Sequence, residues 1–164
     1  MGLTLPGELV TVLGMIGYDW PTSDEEKLFR LGQAWITFAG DVGQVAAEVD
    51  AGARRVTDVN VGEAVAAFQT WWGGQDSAPA ALSEAPAGAM VLGAGLIVCA
   101  AVVLFLKIQV IVQLVLLAIQ IAQAIATAAA TFGASLLEIP IFKLITQTVV
   151  GLLLDQAVNA LLGG

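Results

Sequence analysis

The sequence predicts an all-α fold, an elongated antiparallel helical hairpin with a short N-terminal helix and a C-terminal helix. Apolar residues recur at spacings of three and four over residues 28–59, which is typical of a helix that packs along another helix. Residues 87–132 contain no proline, and no glycine after Gly95, so they predict a second long helix. No stretch shows the period-two alternation of a strand.

The first helix is expected at about residues 5–16, with Pro6 and Glu8 in its first turn and Gly14 and Gly17 near its end. A long helix follows at about residues 23–59. Ser23 with Glu26, or Thr22 with Glu25, forms a capping box at its start. The acidic side chains of residues 24–26 are interpreted as capping charges on the surface.

The long helix carries a heptad seam of large apolar residues, which we expect to pack against residues 87–120. Phe38, in this seam, is therefore expected to be buried. Glycines on the same helix allow a close helix approach. The seam consists of Leu28, Leu31, Trp35, Phe38, Val42, Val45, Val49, Val56 and Val59.

The remaining elements complete a single helical domain over residues 1–164. A helix is expected at about 62–72, a turn at the glycines that follow it, a long apolar helix at about 87–132 and a C-terminal helix at about 140–162. The 46 residues of 87–132 would span about 69 Å as one helix. Because one hairpin partner covers only one side of so apolar a helix, the chain alone should expose a large apolar surface.

Composition argues against catalysis and against nucleic-acid binding. The net charge of −8 lies entirely in residues 1–86, and the chain has no histidine. A nucleic-acid partner requires a basic patch, and none is present. The single cysteine, Cys99, lies in an apolar run and is interpreted as a small core residue. No catalytic residue, cofactor site or metal-ligand cluster is predicted.

The join between the acidic and apolar halves is the strongest functional signal. Trp71 and Trp72 are followed at once by Gly73 and Gly74. Glycines can adopt the left-handed conformation that ends a helix, and tryptophans can close the end of a hairpin core. Trp71 lies three residues after Phe68 and is expected to be buried, which leaves Trp72 exposed for a partner.

With this Trp-Trp-Gly turn between two long helices, the sequence resembles the WXG-type helical hairpins of type VII secretion. It is more similar still to the N-terminal domains of actinobacterial polymorphic toxins. The resemblance covers nearly the whole chain, with Trp20, Pro21, Asp24 and Trp35 as motif residues. The segments that carry it are Gly2–Leu9, Gly17–Leu28, Ala34-Trp35, the tryptophans at the turn and Phe132–Leu136.

The resemblance implies a non-catalytic trafficking and interaction domain that precedes an effector. Its implied partners are a second helical hairpin, or further copies of the chain, and the type VII secretion machinery. The protein would be secreted without a cleaved signal peptide. The family's export signal, a tyrosine followed four residues on by an acid, is absent, since Thr22 lies four residues after Tyr18.

A small integral membrane or pore-forming protein is the alternative. Residues 87–106 are 20 uncharged residues before Lys107, which is the length of a membrane span. The continuation carries a polar stripe, Gln109, Gln113, Gln120, Gln123 and Thr127. This stripe could border a helix–helix contact or line a pore. Because the helix does not end at Lys107, a helical bundle buried by a partner is favoured over a membrane span.

Overall fold

The computed structural model describes residues 2–163, and all regular secondary structure in this range is helical. The predicted all-α fold with a helical hairpin is therefore confirmed. A 3₁₀ helix, which the sequence did not predict, covers Ala134–Glu138. The five α-helices are α1 (Gly7–Met15), α2 (Glu25–Val59), α3 (Glu63–Trp72), α4 (Ala78–Thr127) and α5 (Ile139–Leu162).

Helix α4 begins at Ala78 rather than near residue 87, and it ends at Thr127 rather than near 132. Ser77 caps it, because its Oγ accepts a hydrogen bond from the Ala80 N–H at 3.3 Å. Pro86, which directly precedes the predicted helix at about 87–132, lies inside α4. A proline inside a helix removes one backbone hydrogen bond, and at this site the helix nevertheless continues.

The chain forms two compact units. The hairpin unit is Leu28–Val98, which holds most of α2, all of α3 and the first part of α4. The terminal unit is residues 2–27 together with 99–163, which holds α1, the rest of α4 and α5.

In the hairpin unit, α2 and α4 run antiparallel and touch through small residues. Gly32 lies against Gly93, and Gly43 lies near Pro86. A Cβ atom added to Gly32 would come within 2.7 Å of the Gly93 carbonyl oxygen, so only glycine fits at this crossing. The inner seam of α2, buried or half-buried, is Gly32, Ala39, Gly43, Ala46, Asp50 and Ala53.

The predicted packing of the large apolar seam is wrong. Phe38 and Val45 are each 50% exposed, and Leu31, Val49, Val56 and Val59 are exposed as well. The inner seam has the same three-four spacing but lies one position further along the helix. Mainly small residues, together with Ile36, therefore face α4. The large apolar residues form a neighbouring stripe that is mostly exposed, with Leu28, Trp35 and Val42 half-buried.

In the terminal unit, the core lies where α1, α4 and α5 meet. Leu114 and Leu117 of α4 are fully buried, and Val150 of α5 is nearly so. From α1 and the turn that follows it, Leu13 and Ile16 complete this core. Its buried α4 residues lie three or four apart, as helix–helix packing requires.

The outward side of α4 in the terminal unit confirms the predicted apolar exposure. Phe105, Ile108, Val112, Val115 and Ile119 are all exposed, and they are spaced three and four apart. An open apolar surface of this kind marks an interaction site or a membrane contact.

Replacing Gly32 by alanine should destabilise the protein, because the added methyl group would overlap Gly93 and Ile97. Overpacking of this kind costs about 1–3 kcal/mol. Gly40→Ala is the matched control on the same helix, since nothing lies within 4 Å of its added Cβ. It should raise stability by up to about 1 kcal/mol through helix propensity. Urea unfolding of both variants measures the difference, and equal stabilisation by both would rule out the close crossing.

Candidate interaction sites

The motif residue Asp24 caps α2. Its Oδ1 accepts a hydrogen bond from the Lys27 backbone N–H at 3.0 Å, which is the geometry of an N-cap. This hydrogen bond is the main reason why the pKa of Asp24 is lowered. Both predicted capping-box registers, Ser23 with Glu26 and Thr22 with Glu25, are therefore wrong about the capping residue.

Glu25 is a buried ion-pair partner and not a surface capping charge. Its Oε2 lies 2.8 Å from Lys107 Nζ, and the Lys107 side chain is only 3% exposed. Lys107 Nζ also donates to the carbonyl oxygens of Ser23, at 2.6 Å, and Leu3, at 3.3 Å. The Leu3 backbone N–H donates to Glu25 Oε1. All three ammonium hydrogens therefore have acceptors within the N-terminal segment.

Burial raises the pKa of Glu25, but the hydrogen bonds from the Leu3 N–H and from Lys107 outweigh burial and leave it lowered. The carboxylate is therefore ionised at neutral pH and balances the ammonium charge. The ring of Trp20, another motif residue, has its centroid 5.7 Å from Lys107 Nζ, a cation–π distance. Pro21 is half-buried beside it. The motif segment thus contributes Trp20 to the surroundings of the buried lysine, next to Ser23 and Glu25, which bind it.

The motif residue Trp35 lies on α2 in the hairpin unit, apart from the lysine network. Its ring packs edge-on against Phe38, with centroids 5.7 Å apart. Together with Leu31 and Ala34 these two rings line a shallow apolar hollow on the surface. Trp35 therefore contributes to an open surface.

The predicted roles of the two turn tryptophans are reversed in the structure. Trp71 is 56% exposed, whereas Trp72 is half-buried. The Trp72 indole Nε1 donates to Asp50 Oδ1 of α2 at 3.4 Å, and its ring lies 5.2 Å from that of Phe68. Asp50 is also held by Arg54 at 2.7 Å. Trp72 is thus the residue that ties the turn to the hairpin.

Neither turn glycine uses the left-handed conformation that the sequence suggested. Gly73 ends α3 with φ −81°, and Gly74 has no positive φ. A Cβ on Gly74 would lie 3.2 Å from the Trp71 carbonyl oxygen, which is tighter than ordinary contact. A side chain at residue 74 would therefore crowd the Trp71 carbonyl group, which favours glycine there.

Large apolar residues of α2 at heptad spacing form a row, here called the α2 stripe, which is mostly exposed, with Leu28, Trp35 and Val42 half-buried. A polar and charged face that includes Gln33, Thr37, Asp41 and Glu48 lies beside it, and these four residues are exposed. An apolar row bordered by polar residues is typical of an unoccupied helix-packing surface. The α2 stripe consists of Leu28, Leu31, Trp35, Phe38, Val42, Val45, Val49, Val56 and Val59.

Two segments are long and apolar enough to span a membrane, Ala78–Thr127 and Ala134–Leu162. Their most apolar windows are only 17% and 11% buried, unlike those of core helices in soluble proteins. The glutamines of the polar stripe, Gln109, Gln113 and Gln120, are half-buried. Each precedes a buried or half-buried residue of the α4 core face, so the stripe borders a helix–helix contact.

Comparison with known proteins identifies one family. A family model described as "WXG100 like domain" matches residues 6–149. No curated protein and no solved structure matches the chain. The matched range includes the motif residues, both long helices and the turn tryptophans.

Replacing Glu25 by glutamine should destabilise the protein by about 3–5 kcal/mol, because it leaves the buried charge of Lys107 without its partner. Lys27→Gln is the control. It removes a surface ion pair with Asp24 in which Lys27 is 83% exposed, and should cost less than about 1 kcal/mol. Urea unfolding at neutral pH compares them. A Glu25→Gln loss as small as that of the control would show that the network adds nothing to stability.

Replacing Trp72 by alanine should lower stability by about 2–3 kcal/mol, somewhat less than for a fully buried aromatic residue. The variant loses the hydrogen bond to Asp50 and the contact with Phe68. Trp71→Ala removes a ring of equal size from an exposed position and should cost less than about 1 kcal/mol. Thermal melts of both variants test this, and a larger loss for Trp71→Ala would contradict the assignment.

Proposed function

Because the chain belongs to the WXG100-like domain family, we propose that it is a non-catalytic N-terminal trafficking and interaction domain of an actinobacterial polymorphic toxin. In this proposal it is exported by a type VII apparatus without a cleaved signal peptide. It pairs with a second helical hairpin, as proteins of the WXG100 family typically do. No cofactor takes part.

The open α2 stripe is the observation that carries this proposal. A row of large apolar residues at three-four spacing is the surface on which another helix packs. In the hairpin unit this row lies beside the inner seam, which small residues occupy, and most of its members are exposed. The proposed partner helix would cover the hollow at Leu31, Trp35 and Phe38 and continue toward Val59.

Trp71 is the second element of the proposed surface. It is the exposed tryptophan of the turn, and its partner Trp72 already has an intramolecular role. Tryptophan is enriched among the residues that dominate binding energy at interfaces. We propose that Trp71 is recognised by the partner hairpin or by the export machinery.

Charge placed on the stripe should weaken pairing without unfolding the chain. Phe38→Asp should weaken self-association, or binding to a hairpin protein encoded beside it, at least about tenfold. Because Phe38 is 50% exposed, the loss of folding stability should stay below that of a core substitution. Analytical ultracentrifugation measures association, and an export assay in an actinobacterial host measures secretion.

Gln33→Asp is the control, since it adds the same charge to the polar face of α2. Equal association of both variants and the unmodified chain would show that the stripe is not the interface. Retention of the unmodified chain inside cells with an intact type VII apparatus would contradict the export proposal.

Membrane association is the second candidate function. The observation that favours it is the low burial of the two apolar segments, Ala78–Thr127 and Ala134–Leu162. A helical hairpin protein that partitions into lipid needs apolar outward faces and no unpaired buried charge. Lys107, the charge in the middle of α4, already has its partner in Glu25.

A further inference from the structure

The turn between α4 and α5 has an unusual surface for a connection between helices. No charged residue occurs from residue 108 to residue 137, although connecting segments usually face water. Phe132 is 100% exposed, Leu137 is 75% exposed and Ile125 is 58% exposed. The end of this helix pair therefore presents large apolar side chains.

The hydroxyl groups of this turn form hydrogen bonds within it. Ser135 Oγ donates to the Ala124 carbonyl oxygen at 2.7 Å and is buried. Thr131 Oγ1 donates to the Thr127 carbonyl oxygen at 3.0 Å and also accepts from the Ser135 N–H at 3.3 Å. Thr127 Oγ1 donates to Gln123 at 2.9 Å. These hydroxyl groups therefore have hydrogen-bond partners within the turn, although Thr127 and Thr131 themselves are exposed.

Several backbone N–H groups of the turn also donate to carbonyl oxygens within it. The Gly133 N–H donates to the Ala128 carbonyl oxygen at 2.7 Å, and the Leu136 N–H donates to Gly133 at 3.1 Å. The Ala130 and Thr131 N–H groups both donate to Thr127. A loop in water does not need this, because water can satisfy its peptide groups. A loop in contact with lipid does need it.

Phe132 has φ 53°, a left-handed backbone conformation that is rare for a bulky residue. A rare conformation that the surrounding structure maintains points to a functional requirement. Here the conformation occurs together with full exposure of the ring. Glycine follows at residue 133 with φ 85°, so both residues of the bend are left-handed.

We infer that the α4–α5 tip, defined as Ile125, Phe132, Leu136 and Leu137, is an interfacial anchor that enters the headgroup–acyl boundary of a lipid bilayer. The inference rests on the membrane-association candidate and names the segment that makes contact. Exposed Glu138 follows the tip directly, which keeps the insertion shallow. Amphipathic helices that lie in this boundary bury their apolar face about 5–10 Å deep, and the tip would enter to a comparable depth.

A second copy of the chain is the competing occupant, since the hollow at Leu31, Trp35 and Phe38 could accept an aromatic ring. The internal hydrogen bonding of the turn favours lipid, because a protein surface could supply partners for peptide and hydroxyl groups. The two occupants differ in what they require. Lipid binding depends on vesicles, whereas binding to another copy depends on protein concentration.

The test measures binding of the 164-residue chain to vesicles of three parts phosphatidylcholine and one part phosphatidylglycerol, by flotation at constant protein concentration. Phe132→Asn should lower the partition coefficient at least about tenfold, the loss expected when one large apolar side chain stays in water. Asparagine tolerates the left-handed conformation, so the fold should persist, and circular dichroism checks it. The control is Val61→Asn, which changes a residue that is 97% exposed in the hairpin unit.

The expected result is loss of flotation for Phe132→Asn with normal flotation for Val61→Asn. Equal flotation of all three proteins would overturn the tip assignment and leave membrane association intact. No flotation of the unmodified chain would reject membrane association and the anchor together. If Phe132→Asn instead reduces self-association in ultracentrifugation while flotation is unchanged, the tip binds a second copy and the lipid assignment is wrong.

Discussion

The buried charge of Lys107 is the constraint on which the terminal unit depends. The Lys107 side chain is only 3% exposed, and an ammonium group so buried is tolerated only when a counter-charge and hydrogen-bond acceptors surround it. Glu25 supplies the charge, and the carbonyl oxygens of Leu3 and Ser23 supply the remaining acceptors. The N-terminal segment must therefore lie on α4 in one arrangement. This requirement explains the motif around Trp20 and Asp24. Asp24 caps the start of α2, and the first residue of α2 is Glu25.

Helix α4 meets both of its contacts through one heptad row. Within the hairpin unit the row contains Pro86, Ala89 and Gly93, and within the terminal unit it contains Val110, Leu114 and Leu117. Small side chains bring α2 close enough for the Gly32 and Gly93 backbones to touch. Large side chains fill the wider space shared with α1 and α5. The same heptad spacing thus supports helix packing at two different interhelical distances, and the volume of the side chains sets each distance.

The sequence was sufficient to predict the helices and the hairpin but not the packing register. Large residues at three-four spacing on α2 indicated the seam, and Gly32, Ala39 and Gly43 have the same spacing one position later. Periodicity alone cannot decide which of the two rows faces α4. The greater hydrophobicity of the large residues favours their row, which is not the one that faces α4. The Glu25–Lys107 pair joins residues far apart in sequence, so no local pattern indicated it. Trp72 was misassigned because its partner Asp50 lies on another helix.

This register has a consequence for the function of the chain. A helix that turns its small residues inward contributes little apolar burial to its own hairpin, at about 25 cal/mol for each Å². Its large residues stay partly exposed to water, so part of the free energy of burying their side chains is not gained in the hairpin. Packing a second helix along the α2 stripe would gain this burial free energy and leave the packing within the hairpin unchanged. In the proposed pairing, self-packing and partner binding would use different rows of α2, so that a partner could bind or dissociate while Gly32 and Gly93 stay in contact.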